Sequence, residues 1–468
     1  MKKTWYKIIL GTFLTAMTVG CTEFVKIEPI EQIPDEFVLT SGKNVESVLM
    51  TAYSNLTSGN FLGERVQVYS ELIGDNIGLS EIAFSETDFT GQVAFRNSNI
   101  LNKDIDNLWQ TAYRAIAASN AVIDAVDKKK MTDNTPLASQ NRWKAEALYI
   151  RAVAHFELMR LFSQPYSNGS GTNLGIPLRI KYLAKDEELP RATINEVVNQ
   201  VIADLQAALT GLPTGFNGNR ATQWAAKAHL VRVYFDKRDY ANSLSMANDI
   251  ITNGSFNLSG AKYSSFRNVG NGSPSSGVVW QLVVGGNPFG SFRPVSNRYS
   301  INQAVGALKT ALDESGATDY RAGSNGVANL GGRFFSNKWN TDNANIPLVR
   351  YAEILLSRAE AAAQQNDLVK AAEAYNLVRG FNVAGFTNVT FTTQVLALEA
   401  IRKERRIEMM FEGDRYHELR RLQVTSMSEV KSGATVIRPA VPYNGNKLLL
   451  KIPVSETSGN KDLVQNPD

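Results

Sequence analysis

One cysteine in 468 residues, Cys21, leaves nothing for an internal disulfide, a cysteine-ligated metal or a thiol nucleophile in the body of this chain. Histidine is nearly as scarce. His155, His229 and His417 lie far apart on segments with helical spacing, where an imidazole packs more readily than it ligates. No H-E-x-x-H, G-x-x-x-x-G-K-[ST] or G-x-S-x-G is present, and no G-x-G-x-x-G opens a helix after a strand. These absences set aside helix-borne zinc peptidases, P-loop enzymes, elbow-type serine hydrolases and dinucleotide enzymes. A surplus of one charge is missing too. The 49 basic and 45 acidic residues nearly cancel, and nucleic-acid binding needs a clustered positive face.

What is present begins at the N-terminus. Lys2, Lys3 and Lys7 precede an apolar stretch, residues 8 to 19, too short to span a bilayer, and Gly20 and Cys21 follow it. This reads as a secretory signal, residues 1–20, cleaved before a lipidated Cys21, although Thr18 and Val19 depart from the usual residues of such a box. Cleavage removes three of the basic residues and none of the acidic ones, leaving a formal charge of +1. The acidic, proline-containing stretch that follows, residues 21–36, reads as a tether between a membrane and the body of the protein.

The body, residues 37–468, carries apolar residues at helical spacing over Val45–Leu56, Ile105–Val126, Asn141–Phe162, Ile194–Leu209, Thr222–Phe235, Tyr240–Ile251, Pro347–Gln365, Leu368–Val378 and Val395–Leu422. The expected fold class is mainly α. Within it, Leu355, Ala359, Ala362, Ala371, Tyr375 and Val378 keep tetratricopeptide spacing, and Leu230, Tyr234, Ala247 and Ile250 repeat it around Arg238–Tyr240. Residues 57–104 and an insertion at 254–345 are instead rich in Gly, Asn, Ser and aromatics, with short β-like runs such as VVWQLVV at 278–284. Long segments of this kind on a rigid frame are where a binding site is expected.

Two features could carry chemistry. On a helix, Glu404, Glu408 and Glu412 fall on one stripe between Ile401 and Phe411, so three carboxylates sit within an apolar face. A di-metal bundle would need a second acid-x-x-His besides Asp414–His417, and none exists. The alternative is a buried ion network with Arg402, Arg405, Arg406, Arg350, Arg358 and Arg379, because charges in an apolar setting must be paired. Trp280 and Trp339, with Phe289, Phe292, Tyr299, Phe334 and Phe335, lie in or beside the insertion and could stack on sugar rings or pin the loops down.

Several segments together resemble the SusD/RagB family of nutrient-binding outer-membrane lipoproteins. They are ELIGDN at 71–76, LWQTAYRAIAASNAVID at 108–124, AEALYIRAVAHFELMRLF at 145–162 and GIPL at 175–178. Further along come RATINEVVNQVIADLQAALTGLP at 191–213, the helical pair at 222–258, IPLVRYAEILLSRAEA at 346–361, RKERRIEMMFEGDRYHELRRL at 402–422 and the C-terminal LLLKIPVSETSGNKDLVQNPD. The resemblance implies one helical domain on four tetratricopeptide-like pairs, with loops that bind oligosaccharide or peptide, and no catalysis and no cofactor or metal. It implies a SusC-like TonB-dependent transporter as partner, no nucleic acid, and an outer-membrane, lipid-anchored, surface-exposed location. It places Asp75 near the ligand edge. Trp280, Tyr299 and Trp339 are nominated from their loop context, and Phe95, Asn97 and Asn99 from their place before the helix at 105. The competing readings are a surface glycoside hydrolase using the loop carboxylates Asp313, Glu314 or Asp319, and a bare tetratricopeptide adaptor.

Overall fold

Side-chain caps set where many of the helices begin. The structure, a computed structural model, describes residues 39–78, 88–169, 171–182, 188–218, 220–283, 301, 307–339, 341, 344–425, 427, 430–432 and 435–468. Among these, α1 is Gly42–Leu56, α2 Arg65–Ile73, α3 Phe89–Ala94, α4 Lys103–Asp127, α5 Leu137–Phe162, α6 Ile194–Ala208, α7 Gln223–Asp236 and α8 Tyr240–Asn253. Then come α9 Leu308–Ser315, α10 Tyr351–Gln364, α11 Leu368–Asn382, α12 Gln394–Glu408, α13 Arg415–Arg421 and α14 Val454–Gly459. Ser41, Asn102, Thr193, Thr222 and Thr393 each accept a hydrogen bond from an N–H of the first helical turn, and Thr193 with Glu196 completes a reciprocal capping box.

The repeat expected from spacing has a backbone counterpart. Arg238 (φ 62°) and Asn366 (φ 60°) are left-handed, and in each case the next residue is an aspartate whose carboxylate caps the following helix, Asp239 for α8 and Asp367 for α11. The Asp239 N–H also donates to the Tyr234 carbonyl and that of Asp367 to Ala362, so the α7–α8 and α10–α11 hairpins close with one turn geometry. Helices then stack in order, α1 on α4, α4 on α5, α5 on α6, α6 on α7, α7 on α8, α8 on α10, and α10 on α11 and α12. Ala359, Ala362, Ala371 and Ala374 are fully buried where α10 meets α11, and their small side chains let the two backbones approach. The result is a mainly helical, tetratricopeptide-like scaffold.

Strands occur as two-stranded antiparallel ribbons among the described residues: β1 Leu174–Pro177 with β2 Arg191–Thr193, β3 Val278–Leu282 with β6 Ile346–Arg350, β4 Val327–Leu330 with β5 Arg333–Ser336, and β7 Val430–Ser432 with β8 Thr435–Arg438. Two helix expectations are corrected here. Residues 346–350 form a strand, because they find a partner in β3 (Leu282 opposite Ile346, Val278 opposite Arg350), and the helix starts only at Tyr351. The 395–422 helix is broken into α12 and α13 by a turn in which Phe411 (φ 62°) and Gly413 (φ 80°) are both left-handed. Helices α2, α3 and α9 fall where the spacing showed none, so Asp313 and Glu314 lie on a helix, not a loop.

Candidate functional site

The turn between α12 and α13 is the junction on which the candidate site is built. Lys338, fully buried, drives its ammonium into the turn and donates to the Glu408 carbonyl (2.6 Å), the Met410 carbonyl (2.9 Å) and Glu412 Oε1 (2.7 Å). These are carbonyls that a helix end leaves without partners, and a cation there also meets the negative end of the helix dipole. The Trp339 indole Nε1–H donates to the Phe411 carbonyl at 2.9 Å. On the other side, the Gly413 N–H donates to Glu71 Oε1 at 2.9 Å, and a Cβ on Gly413 would stand 2.9 Å from the Gln67 Cα. With its positive φ, this position therefore needs glycine both for conformation and for space. The EGDR of one motif thus docks on the helix that carries ELIGDN.

The glutamate stripe is an ion network. Arg321, fully buried, reaches Asp319 Oδ2 (2.8 Å), Glu404 Oε1 (2.7 Å) and Glu408 Oε2 (2.9 Å). Arg350 reaches Glu408 Oε1 (2.8 Å) and Glu412 Oε1 (2.5 Å), and Arg379 reaches Glu404 Oε2 (3.1 Å). Burial alone would raise the Glu408 carboxyl, but the guanidiniums of Arg350 and Arg321 and the Lys338 ammonium outweigh it and hold it at about 2. Arg350 and Arg379 were expected as partners. The other four have different roles: Arg405 binds Asp414 and Ser357, Arg406 binds Asp75 and Asn76, Arg402 binds Glu360, and Arg358 binds Asn248 and Glu373. Arg321 and Lys338 come from the 254–345 insertion, which therefore locks to α12 by charge.

The same physics fixes the end of α2. Arg96 (φ 57°) donates to the Ile73 and Gly74 carbonyls, and Arg438 donates to those of Leu72, Ala94 and Gly74, so two buried guanidiniums collect the last carbonyls of the helix. Just beyond, Asp75 receives Arg415 on both oxygens (2.7 and 3.2 Å) and Arg406 at 3.3 Å. Burial pushes its carboxyl up, and Arg415 and Arg406 more than reverse this, to about 2. The segment so clamped delivers Ile77 to a β-bridge with Ile301, whose N–H donates to the Phe334 carbonyl of β5 at 2.7 Å. Three distant stretches, 74–77, 301 and 333–336, meet at one edge. Arg96 binds the residues 95–99 to that edge as well.

Against this geometry the expected site residues divide. Asp75 is 4% exposed with its oxygens taken by arginines, so it holds the edge in place. Trp280 and Trp339 are corrected from loop platform to core: they are 3% and 2% exposed, Trp280 edge-on to Tyr149 and His229, and Trp339 edge-on to Phe266. A ring so enclosed offers no face for stacking. Phe95 is half-buried and packs against the core, while Asn97 and Asn99 are exposed, and the Asn99 amide oxygen accepts the Leu101 N–H. Tyr299 and Cys21 lie outside the described residues, as do Phe289 and Phe292. Phe334 and Phe335 are half-exposed on β5, with the Lys309 ammonium 4.1 Å from the Phe334 ring centre.

The carboxylates of the hydrolase reading are engaged. Asp319 is fully buried and held by Arg321, Arg379 and the Ser315 hydroxyl, Asp313 pairs with Lys309, and Glu314 pairs with Lys403. Burial lowers His155 and His229 to about 3 and His417 well below its ordinary value, so all three are neutral side chains of the interior. Among the described residues no group of three or more His, Cys, Asp or Glu is placed to hold a metal ion. The residues that sequence reasoning missed are Glu71, Arg96, Arg321, Lys338 and Arg438. Only Glu71 carried a signal, its place in ELIGDN.

Two family models match the chain: a SusD-like family described as "Starch-binding associating with outer membrane" over residues 26–235, and the SusD family over residues 334–468. The SusD-like protein P2 of Formosa agariphila is 25% identical over 258 residues, 54% of this chain and 47% of that protein. The chain thus spans about half the length or less of the curated relatives that it matches first. Among solved structures, a SusD superfamily protein from Bacteroides thetaiotaomicron superposes with a TM-score of 0.77 at 21% identity, covering 92% of this chain and 100% of its own. A putative sugar binding protein from Bacteroides vulgatus gives 0.75 at 24%, covering 92% and 99%. With its helical scaffold, its interlocked 71–76 and 404–415 segments and two matching models of one family, the chain belongs to the SusD/RagB family.

Proposed function

We propose that this chain is a surface lipoprotein of the outer membrane, anchored through lipid on Cys21, that captures oligosaccharide at the Ile77–Ile301 edge and delivers it to a SusC-like TonB-dependent transporter. The observation that carries the reading is the double clamp on that edge. Two arginines cap the end of α2 and two more hold Asp75, which spends much buried charge to fix a short irregular segment beside exposed Asn97 and Asn99. Such investment in a preorganised surface suits binding. A solved neighbour named as a putative sugar binding protein and the starch-binding description of the matching family support saccharide as the ligand class. Asn97, Asn99 and Tyr299 are the proposed contacts, joined by Phe335. Peptide is the second ligand class to test, as other branches of the family take it.

Binding without turnover is the proposed chemistry, since Asp313, Glu314 and Asp319 are each committed to a cation. Calorimetric titration with a panel of neutral oligosaccharides and peptides, run beside an assay for new reducing ends, tests this. Saturable heat without product is expected, and release of reducing ends overturns it. Metabolic labelling with palmitate, lost on Cys21→Ser, is the expected result for the anchor; unlabelled wild-type protein contradicts it.

A further inference from the structure

A second concave surface lies in the helical scaffold itself. A cleft of about 480 Å³ opens between the 213–218 loop, the first turn of α7, the end of α8 and the approach to β3. That volume is within the range of small-ligand clefts, roughly 300–1,000 Å³. Two aromatic side chains dominate its apolar part. Phe216 is 54% exposed, and Trp224 lines the same cleft half-buried. Trp224 is held in place: its Nε1–H donates to the Thr214 carbonyl at 2.9 Å, the Phe256 ring meets it edge-on at 6.2 Å, and the Lys227 ammonium lies 4.5 Å from its centre. A ring fixed on several sides loses little entropy when it receives a ligand.

The remainder of the described lining is rich in hydroxyls. Thr214, Ser255 and Ser273 are exposed on its rim, with Ser275 and Ser276 behind them. Hydroxyls both donate and accept, which matches a ligand that does the same. Among the described residues one charged side chain, Arg220, lines it, and its Nε and Nη1 are engaged by Glu146 at 2.6 Å and Glu46 at 2.8 Å. Two carboxylates offset its charge, which favours a neutral ligand over an anionic one. A peptide that adds to a strand edge is disfavoured too, because β3 is buried along all five residues. Trp280 is the floor of the cleft, already enclosed by Tyr149 and His229.

We propose that this cleft is a second saccharide subsite for a neutral sugar, with Phe216 and Trp224 against the apolar face of a ring and the serine and threonine hydroxyls around its periphery. None of its lining residues comes from 73–77, 95–99, 301 or 333–336, so it is separate from the Ile77–Ile301 edge and does not require that edge to be occupied. A glycan long enough to reach both surfaces would be held with an avidity above that of either site, while a shorter one binds each site independently.

The test uses the full chain labelled with fluorotryptophan, with the Trp224 fluorine resonance assigned by Trp224→Phe. Malto-, cello-, xylo-, manno- and laminari-hexaose are the probes. At least one of them is expected to move the Trp224 resonance saturably, and Phe216→Ala is expected to weaken that response about tenfold without lowering the melting temperature. The paired variant Asn97→Ala with Asn99→Ala retains a saturable Trp224 response. A resonance unmoved by all five probes at millimolar concentration overturns the subsite, as does a response that Phe216→Ala leaves intact or that the paired variant abolishes. Calorimetric binding with a silent Trp224 overturns this subsite and keeps the edge. A Trp224 response in a protein whose affinity is indifferent to Asn97 and Asn99 keeps the subsite and removes the edge.

Discussion

Arg350, the last residue of β6, and Glu408, the last of α12, meet at 2.8 Å across 58 residues of sequence, both of them buried. The pair is one link of a chain that runs through Arg321, Glu404 and Lys338 into the insertion, so the strand, the helix and the insertion are held by one set of charges.

Glu408→Ala leaves Arg321 and Arg350 buried and under-paired, which costs about 3–5 kcal/mol by analogy with other broken buried pairs. Urea unfolding is expected to show that loss, with affinity per folded molecule unchanged. The Glu408 carboxyl lies near 2 in the folded chain against 4.5 in the unfolded one. Its contribution is therefore complete above about pH 4.5 and disappears as pH falls toward 2, and the variant should lack that acid limb. Lost binding with unchanged stability would put the stripe among the ligand contacts.

Glu71 behaves in the opposite sense. Burial pushes its carboxyl up to about 7; the Gly413 N–H offsets part of the rise and the nearby Asp414 adds to it. The unfolded chain releases this proton near 4.5 and the folded chain near 7, so the contribution is present below 4.5 and is lost as pH rises to 7. Glu71→Gln keeps an acceptor for Gly413 and removes the ionisation. At pH 8 it is expected to be more stable than wild type by about 1–3 kcal/mol, with no difference near pH 4. Thermal melts across that range check it, and a constant difference between the proteins would contradict it.

The need for a network was legible in the sequence, while its membership was not. Glutamates four apart within an apolar face demand cations, and that reasoning found Arg350 and Arg379. Arg321 and Lys338 sit in a segment without periodicity, and only tertiary folding brings them to α12. The same limit explains β6, where Leu348 continues the helical spacing of Tyr351 and Leu355. Its pairing with β3 lies more than 60 residues away and overrides that local pattern. For Trp280 and Trp339, the composition of the surrounding loop suggested exposure, but composition says nothing about which side of a loop faces the interior. The edge itself was visible only as ELIGDN, and the arginines that clamp it come from residues 96, 406, 415 and 438.

Trp339→Phe separates the core reading from the platform reading directly. The variant keeps an aromatic ring but loses the Nε1–H bond to the Phe411 carbonyl, at the turn that Lys338 also secures. A stability loss of about 1–3 kcal/mol with unaltered glycan affinity is expected, from the lost hydrogen bond and the smaller ring. A platform tryptophan would show the converse, a weaker complex and an unchanged melt.

The edge makes a sharper demand, because its anchors and its proposed contacts lie a few residues apart and must respond differently. Asp75→Asn removes a charge that Arg415 and Arg406 share, with Arg96 and Arg438 close by, so four guanidiniums are left crowding a neutral amide. Loss of about 3–5 kcal/mol of stability is expected on the scale of a broken buried pair. The Asp75 carboxyl, near 2 in place of 3.8, contributes above pH 4 and fades as pH falls toward 2, so the variant also loses that dependence. Asn97→Ala and Asn99→Ala remove exposed amides and leave the melt within about 0.5 kcal/mol of wild type. If these amides bond a sugar hydroxyl, each substitution weakens glycan binding by about 0.5–1.5 kcal/mol, which calorimetry on the folded protein resolves. Wild-type affinity in both asparagine variants would move the ligand away from this edge, whatever Asp75 does to stability.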